Sequence, residues 1–205
     1  RDKTVGIVDG SGVLYDQQGI DREELRRLAD ARLMVREFDR ARLSAGGFLV
    51  DVNDREVTLP DGTVVDNGLN FRNEFHLNPL SSATLFVPCG GRPEAVNISN
   101  VDKFFHHRRS TAATATTTGG ALERVPRFKY IVEGANLFFT QEARLVLEEA
   151  GVVIFKDASA NKGGVTSSSL EVLAALALKD DEFLAHMTVQ KSADTGDEVV
   201  PDFYR

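Results

Sequence analysis

The alternation of apolar and polar positions is clearest between Lys129 and Leu178. An apolar run, Tyr130 to Val132, breaks into Glu133-Gly134-Ala135-Asn136 and then takes up a helical period. A second run, Val152 to Phe155, ends in Asp157-Ala158-Ser159-Ala160-Asn161-Lys162-Gly163-Gly164 and leads into a long helix. Strand, polar loop and helix, twice over, is the rhythm of a parallel α/β sheet, which places ligands at the loops after its strand ends. The first helix sets Phe139, Ala143, Val146, Leu147 and Ala150 on one stripe. The second repeats Val165, Ser169, Val172, Leu173 and Leu176 and is nearly apolar on its later face, so it must be buried against the sheet. Its opening joins Gly163-Gly164 to hydroxyls from Thr166 to Ser169. That is an anion or carboxylate site at a helix N-terminus, or else N-capping with packed serines.

Two earlier runs repeat the strand-then-loop pattern. Val5 to Val8 ends at Asp9-Gly10-Ser11-Gly12, and Thr84 to Val87 ends at Pro88-Cys89-Gly90-Gly91. Gly10 to Tyr15 falls one glycine short of a G-x-G-x-x-G phosphate turn, because Tyr15 stands at the third glycine. Asp9 then sits at a strand tip, where it either accepts from a ribose diol or simply closes a turn. Gly90 and Gly91 let a flat ligand approach the backbone, with Cys89 read as a small residue beside it.

Between these runs, Asp21 to Glu24 is a capping box that opens a helix over about 21–36. From Phe48 the period becomes two, and 48–52, 56–59 and 63–65 read as a small β meander, an insertion at about 44–70. The Thr-, Ala- and Gly-rich stretch from Ser110 to Gly120 predicts a mobile loop within about 107–125. His106 and His107 lack a second ligand cluster and read as a solvated basic patch. Residues 180–191 predict a further helix.

Charge and composition narrow the picture. The formal net charge of −7 argues against a nucleic-acid or anionic-membrane surface. No run approaches the roughly 18–20 apolar residues of a membrane span. One cysteine excludes an internal disulfide and suggests a reducing compartment, cytoplasm or mitochondrial matrix. Beginning on Arg1 and directly on a strand, the chain reads as a fragment.

If the strands at 5–8, 84–87, 129–132 and 152–155 are parallel, Asp9, Gly90, Asn136, Asn161 and Ser168 gather around one cleft. An Asn side chain both donates and accepts, which suits a carboxamide or a ribose hydroxyl. Dinucleotide binding is the favoured reading.

Val132 to Asn136 (VEGAN), Thr140 to Ala143 (TQEA) and Ala160 to Glu171 (ANKGGVTSSSLE) resemble the dinucleotide-binding domain of glutamate dehydrogenases. Asp9 to Asp16 and Leu85 to Asn97 match as well, and the likeness is strongest to the large-subunit, NAD-specific enzymes of fungi and related eukaryotes. The resemblance implies a Rossmann-like, mostly parallel sheet with helices on both faces. It implies residues 1–205 as an NAD-binding domain that lacks the first strand and its glycine-rich turn. It implies cofactor contacts from Asp9, Gly10, Pro88, Cys89, Gly90, Asn136 and Asn161, and substrate contacts from Val165 and Ser168. Asp9 favours NAD over NADP. The implied reaction oxidises L-glutamate to 2-oxoglutarate and ammonia, in a homo-oligomeric parent. The catalytic lysine and aspartate belong to a separate substrate domain of the same polypeptide, so this chain alone should be inactive. A non-catalytic dinucleotide-binding regulatory module is the competing reading.

Overall fold

A computed structural model of the chain describes residues 2–109, 122–192 and 196–201. The chain divides into two units. The first comprises Arg1–Phe86, Glu94–Ile131 and Phe139–Ile154; the second comprises Val87–Pro93, Val132–Phe138 and Phe155–Arg205. The class is α/β.

In the first unit, β1 (Gly6–Val8), β2 (Gly12–Tyr15) and, beyond helix α1 (Arg22–Asp30), β3 (Phe48–Asp51) form an antiparallel sheet in the order β1-β2-β3. The strand at 5–8 therefore pairs antiparallel, not as one of four parallel strands. The cause is local: Asp9 N donates to the Gly12 carbonyl across a tight turn and folds the chain straight back. Gly12 is a packing glycine, since a Cβ there would meet the Val50 carbonyl oxygen at 2.2 Å.

β2 is buried on both faces by strict alternation. Val13 and Tyr15 join Phe48, Val50, Leu59, Val65 and Phe75, while Leu14 joins Ile20, Leu28, Val35, Phe38 and Leu49 on the opposite side. α1 starts where expected, with the Asp21 side chain accepting from Glu24 N, but it stops at Asp30 rather than near residue 36. Arg32 turns left-handed (φ 52°), and Leu33 N bonds to Leu28 O while Arg32 N bonds to Ala29 O, closing the end as a Schellman motif.

β4 (Arg55–Thr58) and β5 (Val64–Asn67) form a separate antiparallel hairpin, followed by α2 (Gly68–Glu74). The expected meander thus has its three strands, but β3 pairs with β2 instead of β4. Next come β6 (Leu85–Phe86) and an antiparallel hairpin of β7 (Phe105–Arg109) and β8 (Leu122–Pro126). This hairpin occupies both ends of the stretch expected to be mobile; residues 110–121 lie outside the described residues.

β9 (Tyr130–Val132), α3 (Gln141–Glu149) and β10 (Val153–Phe155) complete the unit, with the last residue of each strand passing into the second. Their sheet has the order β10-β9-β6, with β6 and β9 parallel, Leu85 opposite Tyr130. Phe86, Phe104, Phe128 and Phe139 interlock edge-on and stacked behind it. Ala143, Arg144 and Leu147 of α3 are buried, and Thr140 caps that helix.

The second unit carries α4 (Asp157–Ala160), α5 (Gly163–Ala177), α6 (Asp180–Met187) and an antiparallel pair, β11 (Gln190–Lys191) and β12 (Glu198–Val199). α6 ends at Met187, short of the expected 191. α5 packs on α6 but has no buried residue, and Leu173 and Leu176 are 60% and 80% exposed. The expected burial of this helix is not met. A helix apolar nearly all round needs neighbours on several sides, and α6 alone cannot supply them. Among the described residues no helix is long and apolar enough to cross a membrane.

Candidate functional site

Parallel strands deliver their loops to one edge, and here three such loops fall in the same unit. They follow β6 (87–93), β9 (133–138) and β10 (from 156), and together they line a cleft of about 470 Å³. Its walls are Cys89, Gly90, Gly91 and Pro93 from the first loop, Gly134, Ala135 and Asn136 from the second, and Asn161, Lys162 and Val165 from the third.

Backbone contacts set the loops. Ala135 N donates to the Pro88 carbonyl at 2.6 Å. A Cβ on Gly134 would stand 3.3 Å from both Cys89 Sγ and Pro88 O, so glycine lets the two loops touch. Gly91 adopts φ +125°, and a Cβ there would strike the Phe138 ring at 2.9 Å. Gly90 has nothing within 4 Å of its missing Cβ, which leaves its backbone open to a flat ligand.

Beneath the second loop lie two buried carboxylates, Glu133 and Asp157, 0% and 4% exposed. Asp157 N donates to Glu133 Oε2 at 3.3 Å. The Asp157 carboxylate accepts from Leu137 N at 3.1 Å and from Ala158 N at 2.8 Å. Leu137 itself is left-handed, φ 53°, and half exposed.

Five of the expected site residues meet in this cleft: Cys89, Gly90, Asn136, Asn161 and Val165. Pro88 contributes its carbonyl to the loop contact rather than a wall. Ser168 is not among the lining residues, and its hydroxyl donates to the Gly164 carbonyl at 2.9 Å. Thr166, Ser167 and Ser169 likewise donate back to carbonyls three or four residues earlier. The hydroxyls at the start of α5 therefore donate to the helix backbone; they neither cap its N-terminus nor pack into a core.

Asp9 and Gly10 belong to the first unit, at the turn between β1 and β2. Asp9 accepts from Ser11 N and Ser11 Oγ at 2.7 Å and from Val35 N at 2.8 Å. Burial raises its carboxyl, but the Ser11 hydroxyl and the Val35 and Ser11 amides outweigh it and hold the group below its ordinary range. The turn role is thus filled, and a carboxylate with about four acceptor positions keeps room for a further donor.

Sequence reasoning missed Pro93, Gly134, Ala135 and Lys162 as walls, and Glu133 and Asp157 as their support. Lys162 had a readable signal, a cation in an Asn-Lys-Gly-Gly run at a helix start. It is the one charged residue among the lining residues named above, so the cleft favours an anionic group.

Glutamate dehydrogenase 2 of Dictyostelium discoideum is 60% identical over 204 residues, which is 100% of this chain and 18% of that protein. The NAD-specific glutamate dehydrogenase of Neurospora crassa is 52% identical over 199 residues, 97% of this chain and 17% of its own. A solved glutamate dehydrogenase of Plasmodium falciparum aligns over 85% of this chain and 29% of that one, with 17% identity and a TM-score of 0.45. The chain therefore spans less than a fifth of the curated relatives it matches. Residues 1–200 match the Glutamate/Leucine/Phenylalanine/Valine dehydrogenase family, and to that family the chain belongs.

Proposed function

We propose that this chain is the NAD-binding part of an NAD-dependent glutamate dehydrogenase, which oxidises L-glutamate to 2-oxoglutarate and ammonia. The observation that carries the reading is the convergence of three strand-end loops on one cleft with an open Gly90 backbone and two amide side chains. The NAD-specific names of the relatives support the choice of cofactor.

When bound, NAD supplies a hydride acceptor for the substrate Cα–H. The residues of this chain bind and orient. Gly90 admits the flat ring system without a side chain in the way, beside Cys89. Asn136 engages the nicotinamide ribose region and Asn161 the carboxamide or substrate side, each able to donate and accept at once. Lys162 offsets an anionic group of the ligand. Asp9 takes the adenosine ribose diol and disfavours a 2′-phosphate.

Val165 packs along the substrate carbon chain and Ser168 holds its distal carboxylate. Ser168 must then exchange its bond to Gly164 O for one to the substrate, which its exposed position permits. The finer fold follows the same reading: a Rossmann-like sheet whose first strand and glycine-rich turn come from the wider polypeptide. Proton transfers fall to a lysine and an aspartate of a separate substrate domain.

In the full-length enzyme, Asn136→Ala should raise the NAD KM about tenfold, the scale of one lost hydrogen bond to a desolvated ligand group. Ser168→Ala should raise the glutamate KM and leave the NAD KM alone; an unchanged glutamate KM removes Ser168 from the site. NAD turnover by the purified 205-residue chain would contradict the division of labour. A full-length protein that binds NAD without oxidising glutamate would instead be a regulatory module.

A further inference from the structure

We infer that Asp157 is a positioning residue, holding Asn136 and Asn161 at the spacing the cleft ligand requires. The inference rests on the cofactor reading of the cleft. It starts from an outlier: Leu137 sits at φ 53°, a conformation that side chains other than glycine avoid, and it is 50% exposed. Burial does not compensate that conformation. Strain of this kind persists where surrounding bonds over-determine a loop, typically beside a ligand.

Those bonds converge on Asp157. Its backbone N–H donates to Glu133 Oε2 at one end of the loop, and its carboxylate accepts Leu137 N at the other. Ala135 N is pinned to Pro88 O between them. Asn136 is thus held through both neighbours, while its own side chain stays exposed at the crest. Asp157 also accepts Asn161 N on its carbonyl at 3.0 Å, so the second amide side chain hangs from the same residue. The contacts to Glu133 and Asn161 are made by the main chain of Asp157; its carboxylate supplies the rest. Its two oxygens each take a backbone N–H, Leu137 N at 3.1 Å and Ala158 N at 2.8 Å, whereas an amide would turn an NH2 toward one of those donors.

The test is a double-variant cycle in the full-length enzyme, reading NAD Kd by fluorescence titration and melting temperature beside it. Asp157→Asn and Asn136→Ala should each weaken NAD about tenfold, and the double variant should be no weaker than Asn136→Ala by more than about threefold. Leu137→Gly, which keeps the N–H and relieves the left-handed penalty, should recover part of the affinity lost in Asp157→Asn. It serves as the second handle if Asp157→Asn alone folds poorly.

Additive losses, or a lower melting temperature with NAD Kd unchanged, would overturn the positioning role while Asn136→Ala still marked the cofactor site. If Asn136→Ala left NAD binding intact, the cofactor reading of Asn136 would fall, and the inference with it.

Discussion

Strand β2 and helix α5 are both apolar in sequence, yet among the described elements one is the most enclosed and the other among the most open. Val13 and Leu14 of β2 are 0% exposed, whereas Leu176 of α5 is 80% exposed. The difference lies in their neighbours. β2 is bonded on both edges and covered on both faces by two separate clusters. α5 is apolar around most of its circumference and has α6 beside it. Hydrophobicity says that an element needs cover; it does not say that cover is present.

The sharpest way to break this contrast is at Gly12. Gly12→Val puts side-chain atoms into the Val50 carbonyl, already 2.2 Å from a Cβ, and should cost more than about 4 kcal/mol or abolish cooperative unfolding in urea. Leu14→Ala empties a site sealed on all sides and should cost about 2–5 kcal/mol by the same measurement. Arg127→Met should cost about 2–3 kcal/mol. It strips donors from the His76 and Asn78 carbonyls and the Ser81 hydroxyl around a cation that burial pushes down to about 10.

Acid should weaken the first unit. Bonds from Arg27 and Asp39 N lower Glu24 to about 2, from an ordinary 4.5. In Asp16, burial is outweighed by bonds from Ser44 and Gln18, so that group too lies below its ordinary 3.8, as Asp9 does. Depressed carboxyls contribute stability that is complete above the unfolded values and lost as pH falls through the folded ones. The urea midpoint should therefore drop between about pH 4.5 and pH 2. His76, held below 6.5 by burial, has the same sign and should begin the decline just under that pH.

The smallest effect belongs to α5. Leu176→Ser should move stability by no more than about 0.5 kcal/mol, and a loss near that of Leu14→Ala would show that the helix has cover in solution.

The same contrast explains what could be read in advance. The loops bearing Gly90, Asn136 and Asn161 were legible because glycine and asparagine after an apolar run have a local meaning. Cys89, Gly90, Asn136 and Asn161 sit in those loops, whereas Val165 was expected from the family resemblance. Asp157 was passed over as one more polar loop residue, because its partners, Glu133 and Leu137, lie 24 and 20 positions away. For Ser168 only the structure shows that its hydroxyl donates to Gly164 O, the bond a substrate carboxylate would displace.

By itself the sequence determined the local elements: where strands stop, which residue caps α1, and which loops carry glycine beside amide side chains. These depend on contacts within a few residues. Only the tertiary structure decided that β1 pairs antiparallel with β2, that β3 leaves the meander to join them, and that α5 stays open. It also decided that two buried carboxylates clasp the Asn136 loop. Each of these turns on which distant segment arrives at a given edge or face, and periodicity marks the edge without naming the arrival.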